Sequence, residues 1–249
     1  MSMLKYQYDF LAFFDLDGTL CPLAGAIPEK TVLQLRMLEE LGCGVVFCSG
    51  KPTYYLSAIQ RQIGLKMPLI IGENGLMVQI GIDLPPFDKI LFNDQDILER
   101  SRLLEKKAKQ ELGDRVWIEP KKTIASLFFD NEDVRLSIKQ FLANNKDIIP
   151  DNKFDIIEFV DCFDILPKGV DKSLGVQYMQ ETCGVPQDWT FAMGDGPNDQ
   201  GMFDASGYAI SINNKSHKNI DYLATDTDDA MLHLFKVLFK KIEDRSNKG

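Results

Sequence analysis

Residues 13–20 read FFDLDGTL, with two aspartates one position apart at the end of an apolar run. The five residues up to Phe14, FLAFF, carry no polar side chain, as a strand buried on both faces would. Like charges this close to a core disfavour each other unless a cation or a hydrogen-bond donor compensates them. The stretch therefore predicts a central strand and, at its end, a charged site.

Outward from it, apolar runs recur at 44–48 (GVVFC), 68–71 (PLII), 190–193 (TFAM) and 207–210 (GYAI), each the length of a buried strand. Between the first two runs a helix is expected over about 28–42. Pro28 stands near its first turn, Val32, Leu35, Leu38 and Leu41 share a face, and Gly42 ends it. Strands alternating with helices predict an α/β fold with a Rossmann-like parallel-sheet core. The segment 231–242, interrupted by His233, Lys236, Lys240 and Lys241, is expected as a helix packed on that core.

The middle of the chain differs. Helical patterns at about 95–112 and 132–144 alternate with strand patterns at about 116–119, 123–129 and 154–166. Acids interleave with apolar residues in the last of these, which predicts a sheet with one wet face. The expected organisation is a core of 1–82 and 166–249 with an inserted α+β cap domain at 83–165.

Composition narrows the possible functions. The chain has 249 residues, 45% hydrophobic and 26% charged, an ordinary globular balance. Its formal net charge of −9 speaks against a nucleic-acid-binding or anionic-membrane surface. Five cysteines, at 21, 43, 48, 162 and 183, form no CxxC pair, and the start MSMLKY has no apolar leader. Reduced thiols and a cytoplasmic location are expected. No run reaches the roughly 18 apolar residues of a membrane helix.

The polar residues cluster at the strand ends. The first strand leads into Asp15 and Asp17, the second into Ser49 and Gly50, and the fourth into Gly194-Asp195-Gly-Pro-Asn198-Asp199. Ligands of open parallel sheets bind beyond the carboxyl ends of the strands. Lys172, at the start of a helix, can bring a positive charge to the same edge, while Lys168 is read as a solvated neighbour. Several acids there call for a cation, and Mg²⁺ is the hard ion that prefers oxygen ligands. No Cys/His cluster suits zinc, and His217 and His233 lie far from these motifs in sequence. A cation with a lysine suggests a phosphoryl ligand. A carboxylate can attack phosphorus to give an aspartyl phosphate, and the acid two residues on can serve as general acid and base. Cys48, beside Ser49, is read as a buried strand-end thiol.

These motifs resemble those of the haloacid-dehalogenase-like phosphatases. DLDGTL (15–20), FCSG (47–50), Lys172 in GVDKS and GDGPND (194–199) are similar to the family's four motifs, in their order. A lone Asp-x-Asp is a common turn; four ordered motifs are specific. The resemblance implies Asp15 as nucleophile, Asp17 as acid and base, and Ser49 and Lys172 on the phosphoryl oxygens, with Gly50 and Asn198 in the same substrate site. It implies Mg²⁺ held by Asp15, the backbone carbonyl of Asp17 and Asp195, with Asp199 supporting. An insertion between the second and third motifs resembles the type IIB cap of the sugar-phosphatase branch, and GENGL (72–76) looks like the stretch leading into it.

The expected activity is Mg²⁺-dependent hydrolysis of a small phosphorylated metabolite, a sugar phosphate first. The alternatives are a sugar phosphomutase like phosphomannomutase, and a non-catalytic phosphosugar-binding protein. A dehalogenase would need neither Mg²⁺ nor an acid at position 17. In the insertion, Glu119, Lys121 and Lys122 read either as a solvated hairpin turn or, for Glu119 and Lys121, as substrate-recognition groups.

Overall fold

The computed structural model describes residues 7–23, 25–81 and 87–246. The stretch 1–6 and the expected insertion start at 83 lie outside them. In chain order the elements are β1 (Phe10–Phe14), α1 (Glu29–Glu40), β2 (Cys43–Cys48), α2 (Thr53–Gln62), β3 (Leu69–Gly72), β4 (Met77–Ile80) and β5 (Phe87–Ile90). There follow α3 (Gln95–Leu112), β6 (Trp117–Ile118), β7 (Ala125–Phe128), α4 (Glu132–Asn144), β8 (Phe154–Glu158) and β9 (Cys162–Pro167). The chain closes with α5 (Ser173–Cys183), β10 (Thr190–Gly194), α6 (Gln200–Asp204), β11 (Tyr208–Ile212), β12 (Tyr222–Ala224) and α7 (Thr227–Ser246). Two compact units result, one of Met1–Leu91 with Asp171–Gly249, the other of Phe92–Val170.

The first unit is built on a sheet of order β12-β11-β10-β1-β2-β3-β4-β5. Its strands run parallel from β12 to β3, and β4 and β5 add an antiparallel edge. Every residue of β1 is buried, because both faces are covered. Phe10, Ala12 and Phe14 pack with Leu35 and Leu38 of α1, Leu56 of α2 and Leu234 of α7. Leu11 and Phe13 pack on the other face with Val176 of α5 and Met202 of α6. The strand order turns around β1, with β2 on one side and β10 on the other. The crevice beyond the carboxyl ends of β1 and β10 is thus the topological switch point of the sheet, the usual place for a ligand in such folds.

The boundary expected at 83–165 is displaced at both ends. Beyond the undescribed stretch 82–86, β5 pairs with β4 (Met77↔Ile90, Val78↔Lys89), so this strand belongs to the first sheet. At the other end β9 continues to Pro167 in the second sheet, and the second unit closes at Val170.

The second unit has an antiparallel sheet of order β6-β7-β9-β8. Leu104 and Ala108 of α3 and Ile138 and Phe141 of α4 pack with Leu127, Phe163 and Ile165 of the sheet. Both helices start on side-chain caps: Asp94 accepts from the Ile97 amide (3.3 Å) and Asn131 from the Val134 amide (3.0 Å). The single pattern at 154–166 is a two-stranded hairpin, with Ile157 opposite Asp164. The expected wet face fails at Asp164, which is buried with Ser126 and Lys121.

Candidate active site

The site lies in the first unit, where β1, β2 and β10 end. The Asp15 amide continues the ladder by donating to Met193 O (3.0 Å), and the chain then turns through Gly18. Gly18 has φ +87°, and a Cβ there would lie 2.4 Å from Asp195 Oδ2. Only glycine lets this turn pass so close to the second acidic loop. Asp17 is half-buried in the turn, paired by a bridge with Cys21.

Lys172 is fully buried, and its ammonium donates to Asp15 Oδ1 and Asp199 Oδ1, each at 2.6 Å. The other Asp199 oxygen, Oδ2, accepts from the amides of Asp195 (2.9 Å) and Gly196 (2.8 Å). Thr19 Oγ1 donates to Asp195 Oδ1 at 2.7 Å. Asp15, Asp195 and Asp199 each bring a carboxylate oxygen within 4.8 Å of the others. Of these three, Asp199 has both oxygens engaged and stands behind the site; Asp15 and Asp195 are its acidic front.

The electrostatics follow from one ammonium bonded to two acids, with a third beside them. Burial pushes the Asp15 carboxyl up, to about 7, against the opposing pull of Lys172. Burial also raises Asp195, partly opposed by the Thr19 hydrogen bond. Burial alone would lower the Lys172 ammonium, but Asp15 and Asp199 outweigh it and hold it above its ordinary value. The pocket thus holds more negative charge than its own cation balances. A set of hard carboxylate oxygens in charge excess fits a hard divalent cation such as Mg²⁺.

Ser49 follows β2, its amide bonded to Ile71 O (3.0 Å) and its Oγ accepting from the Lys51 amide (3.3 Å). Gly50 occupies the half-buried bend after it. Asn198 donates from Nδ2 to Asn74 Oδ1 at 2.8 Å, and the Asn74 amide donates to Ser49 O at 3.2 Å. Asn74 holds φ +55°, a left-handed conformation that asparagine tolerates. It thereby ties the loop after β2 to the loop after β10. Cys48 is fully buried, and burial pushes its thiol up, so it is no nucleophile.

The structure brings Asp15, Lys172, Asp195 and Asp199 into direct or near contact. Glu119 and Lys121 belong to the second unit and are not the solvated turn that their hairpin position suggested. The Lys121 ammonium lies 2.9 Å from Glu119 Oε2 and 2.6 Å from Ser126 Oγ, almost fully buried. Burial would lower this ammonium, but Asp164 and Glu119 raise it. Lys168 pairs with Asp155 at 2.7 Å in that same unit.

Sequence reasoning missed Thr19, Asn74, Asn214 and His217. His217, set aside as remote from the motifs, lies with Nε2 2.8 Å from Gly196 O. The available signal was positional: β11 runs parallel beside β10, so the polar residues after it reach the same edge.

Residues 12–95 and 88–230 match a family model described as haloacid dehalogenase-like hydrolase. A phosphoglycolate phosphatase of Methanopyrus kandleri is 22% identical over 222 residues, covering 88% of this chain and 90% of its own. A haloacid dehalogenase-like hydrolase from Bacteroides thetaiotaomicron superposes with TM-score 0.70 at 18% identity, covering 94% of this chain and all of its own (100%). The sucrose-phosphatase of Synechocystis sp. PCC6803, solved with sucrose and phosphate, superposes with TM-score 0.64 at 17% identity, covering 93% and 98%.

Proposed function

The chain belongs to the haloacid dehalogenase-like hydrolases, and from that premise we propose that it is a Mg²⁺-dependent phosphatase of small phosphorylated metabolites, sugar phosphates first. The observation that carries this reading is the single Lys172 ammonium shared by Asp15 and Asp199, with Asp195 beside them.

The chemistry starts at Asp15. Lys172 holds its Oδ1, which leaves Oδ2 to attack phosphorus. The bond to the leaving oxygen breaks as the new Asp15 acyl-phosphate bond forms, and Asp17 gives that oxygen its proton. Asp17, now a carboxylate, takes a proton from water, whose oxygen displaces the Asp15 carboxylate and releases inorganic phosphate. Ser49, Lys172 and Asn198 orient the phosphoryl oxygens. Asp15, Asp195 and the Asp17 carbonyl would hold Mg²⁺, which when bound neutralises the carboxylates and the phosphoryl charge. Burial of Asp15 and Lys172 excludes water from the pair and strengthens their interaction. The acidic net charge and irregular cysteine pattern support a cytoplasmic role with no nucleic-acid partner.

Phosphate release across a panel of phosphorylated metabolites, with Mg²⁺ and with EDTA, tests the reading. Release from a sugar phosphate that EDTA abolishes is expected; release unaffected by EDTA, or none from any substrate, refutes it. A second reading has its own support. The M. kandleri relative bears the name phosphoglycolate phosphatase, so a small phosphorylated hydroxy acid belongs in the panel.

A further inference from the structure

The peptide that carries Asp195 is held at four points by side chains. The amides of Asp195 and Gly196 donate to Asp199 Oδ2, as described. Gly196 O accepts from the Asp199 amide at 3.0 Å, and both carbonyls also have side-chain partners from the loop after β11. Asn214 Nδ2 donates to Asp195 O at 2.8 Å, and His217 Nε2 lies 2.8 Å from Gly196 O.

The orientation of both side chains is fixed by their other contacts. Asn214 Oδ1 accepts from the Ser216 amide (3.0 Å) and the Ser216 hydroxyl (2.6 Å), so its NH₂ must face Asp195. A carbonyl can only accept, so His217 Nε2 carries the hydrogen that bonds Gly196 O. Nδ1 of the ring faces Ser211 Oγ at 2.7 Å, and the Phe203 ring packs against the imidazole edge-on at 4.9 Å. Asn213, at φ +51°, turns the chain so that the residues after it return to the Asp195 loop.

We propose that His217 and Asn214 are positioning residues of the cation site, holding the Asp195–Gly196 peptide so that the Asp195 carboxylate is aimed before a cation arrives. The inference rests on the reading of Asp195 as a cation ligand. Neither side chain touches the acidic front itself. Each acts through the backbone: without Asn214 the Asp195 carbonyl loses its side-chain partner, and without His217 the Gly196 carbonyl keeps only the Asp199 amide, so the peptide can rotate and swing the Asp195 side chain away from Asp15. Groups that orient metal ligands in this way typically account for about 10–100-fold in metal affinity.

Binding of Mn²⁺ alone, followed by loss of the free-ion paramagnetic resonance signal without substrate, tests this. His217→Leu keeps the volume but removes the donor, and should weaken Mn²⁺ binding about tenfold. His217→Gln can place an amide NH near the Nε2 position and should stay within about threefold of the parent. A packing role would treat the two variants alike, since neither keeps the ring. The proposal is overturned if His217→Leu binds within about twofold of the parent, or if Gln and Leu lose equally. Should His217→Leu fail to fold, Asn214→Ala decides by the same measurement and the same limits. Asp195→Asn is the control for the underlying reading. If it binds Mn²⁺ like the parent, the cation assignment falls and this inference with it; if it loses binding while His217→Leu and Asn214→Ala do not, only the positioning role falls.

Discussion

Lys172 compensates two carboxylates at once, and that shared charge sets what single substitutions should do. Lys172→Met leaves Asp15 and Asp199 buried without their cation, a change that typically costs about 3–5 kcal/mol. Urea unfolding at pH 7.5 should show it. The loss should be smaller at pH 5.5, where Asp15, already pushed up to about 7, takes a proton instead. A loss independent of pH would mean the ammonium is not neutralising Asp15. For the proposed reaction, Asp15→Asn removes the oxygen proposed to attack and should cost about four decades in turnover or more. Asp17→Asn keeps the attack but removes the proton donor, so poor leaving groups should suffer more than an activated aryl phosphate. Equal losses on the two substrates would assign Asp17 to another role. Asp15, Asp195 and Asp199 could be read from the sequence because each lies in a short motif at the end of an apolar run, and Lys172 because it opens a helix at the same edge. His217 lies in no such motif: its contact with Gly196 forms only once β11 has returned beside β10, so its one signal was its place after that strand.

At the scale of elements, strands covered on both faces were legible and edge strands were not. FLAFF and GVVFC are continuous apolar runs, and β1 and β2 lie where those runs predict. Phe87–Ile90 reads Phe-Asp-Lys-Ile, with no alternation, and is largely exposed, so nothing in its pattern separates a core edge strand from the insertion. Three-residue β12 carries too little sequence to show a period. The turn after β1 makes the clearest elemental prediction. Gly18→Ala imposes a positive φ on alanine and drives a methyl group into Asp195, so either the turn or the carboxylate must move. Strain of about 1–3 kcal/mol is expected, with apparent Mg²⁺ affinity falling while the fold persists. Mg²⁺ half-saturation of activity, measured beside circular dichroism, checks it. Unchanged half-saturation would show that the turn gives way without disturbing Asp195.

Across the whole molecule, the excess acid at the switch point links stability, pH and metal. The folded Asp15 carboxyl sits near 7 rather than its ordinary 3.8. Between those values the native state keeps a proton that the unfolded chain has released, so this group's contribution falls as pH rises from about 4 to about 7. In EDTA, the thermal midpoint should therefore decline over that window less steeply in Asp15→Asn than in the parent. Mg²⁺ should raise the parent's midpoint more at pH 8 than at pH 5; equal increments would break the link. The central place of β1 has one more consequence, in the order of synthesis. Its partner β2 follows soon after it, but its other edge stays open until Thr190–Gly194 has been translated. At about 5–20 residues per second this leaves FLAFF, an apolar and uncharged β-forming segment, half-paired for roughly 10–40 s. The charges bracketing it are Asp9 and Asp15, placed as gatekeepers against self-association of nascent chains. Neutralising Asp15 should then lower the soluble yield on expression more than neutralising Asp195 does, so that the proposed nucleophile also serves the chain before there is any site for it to serve.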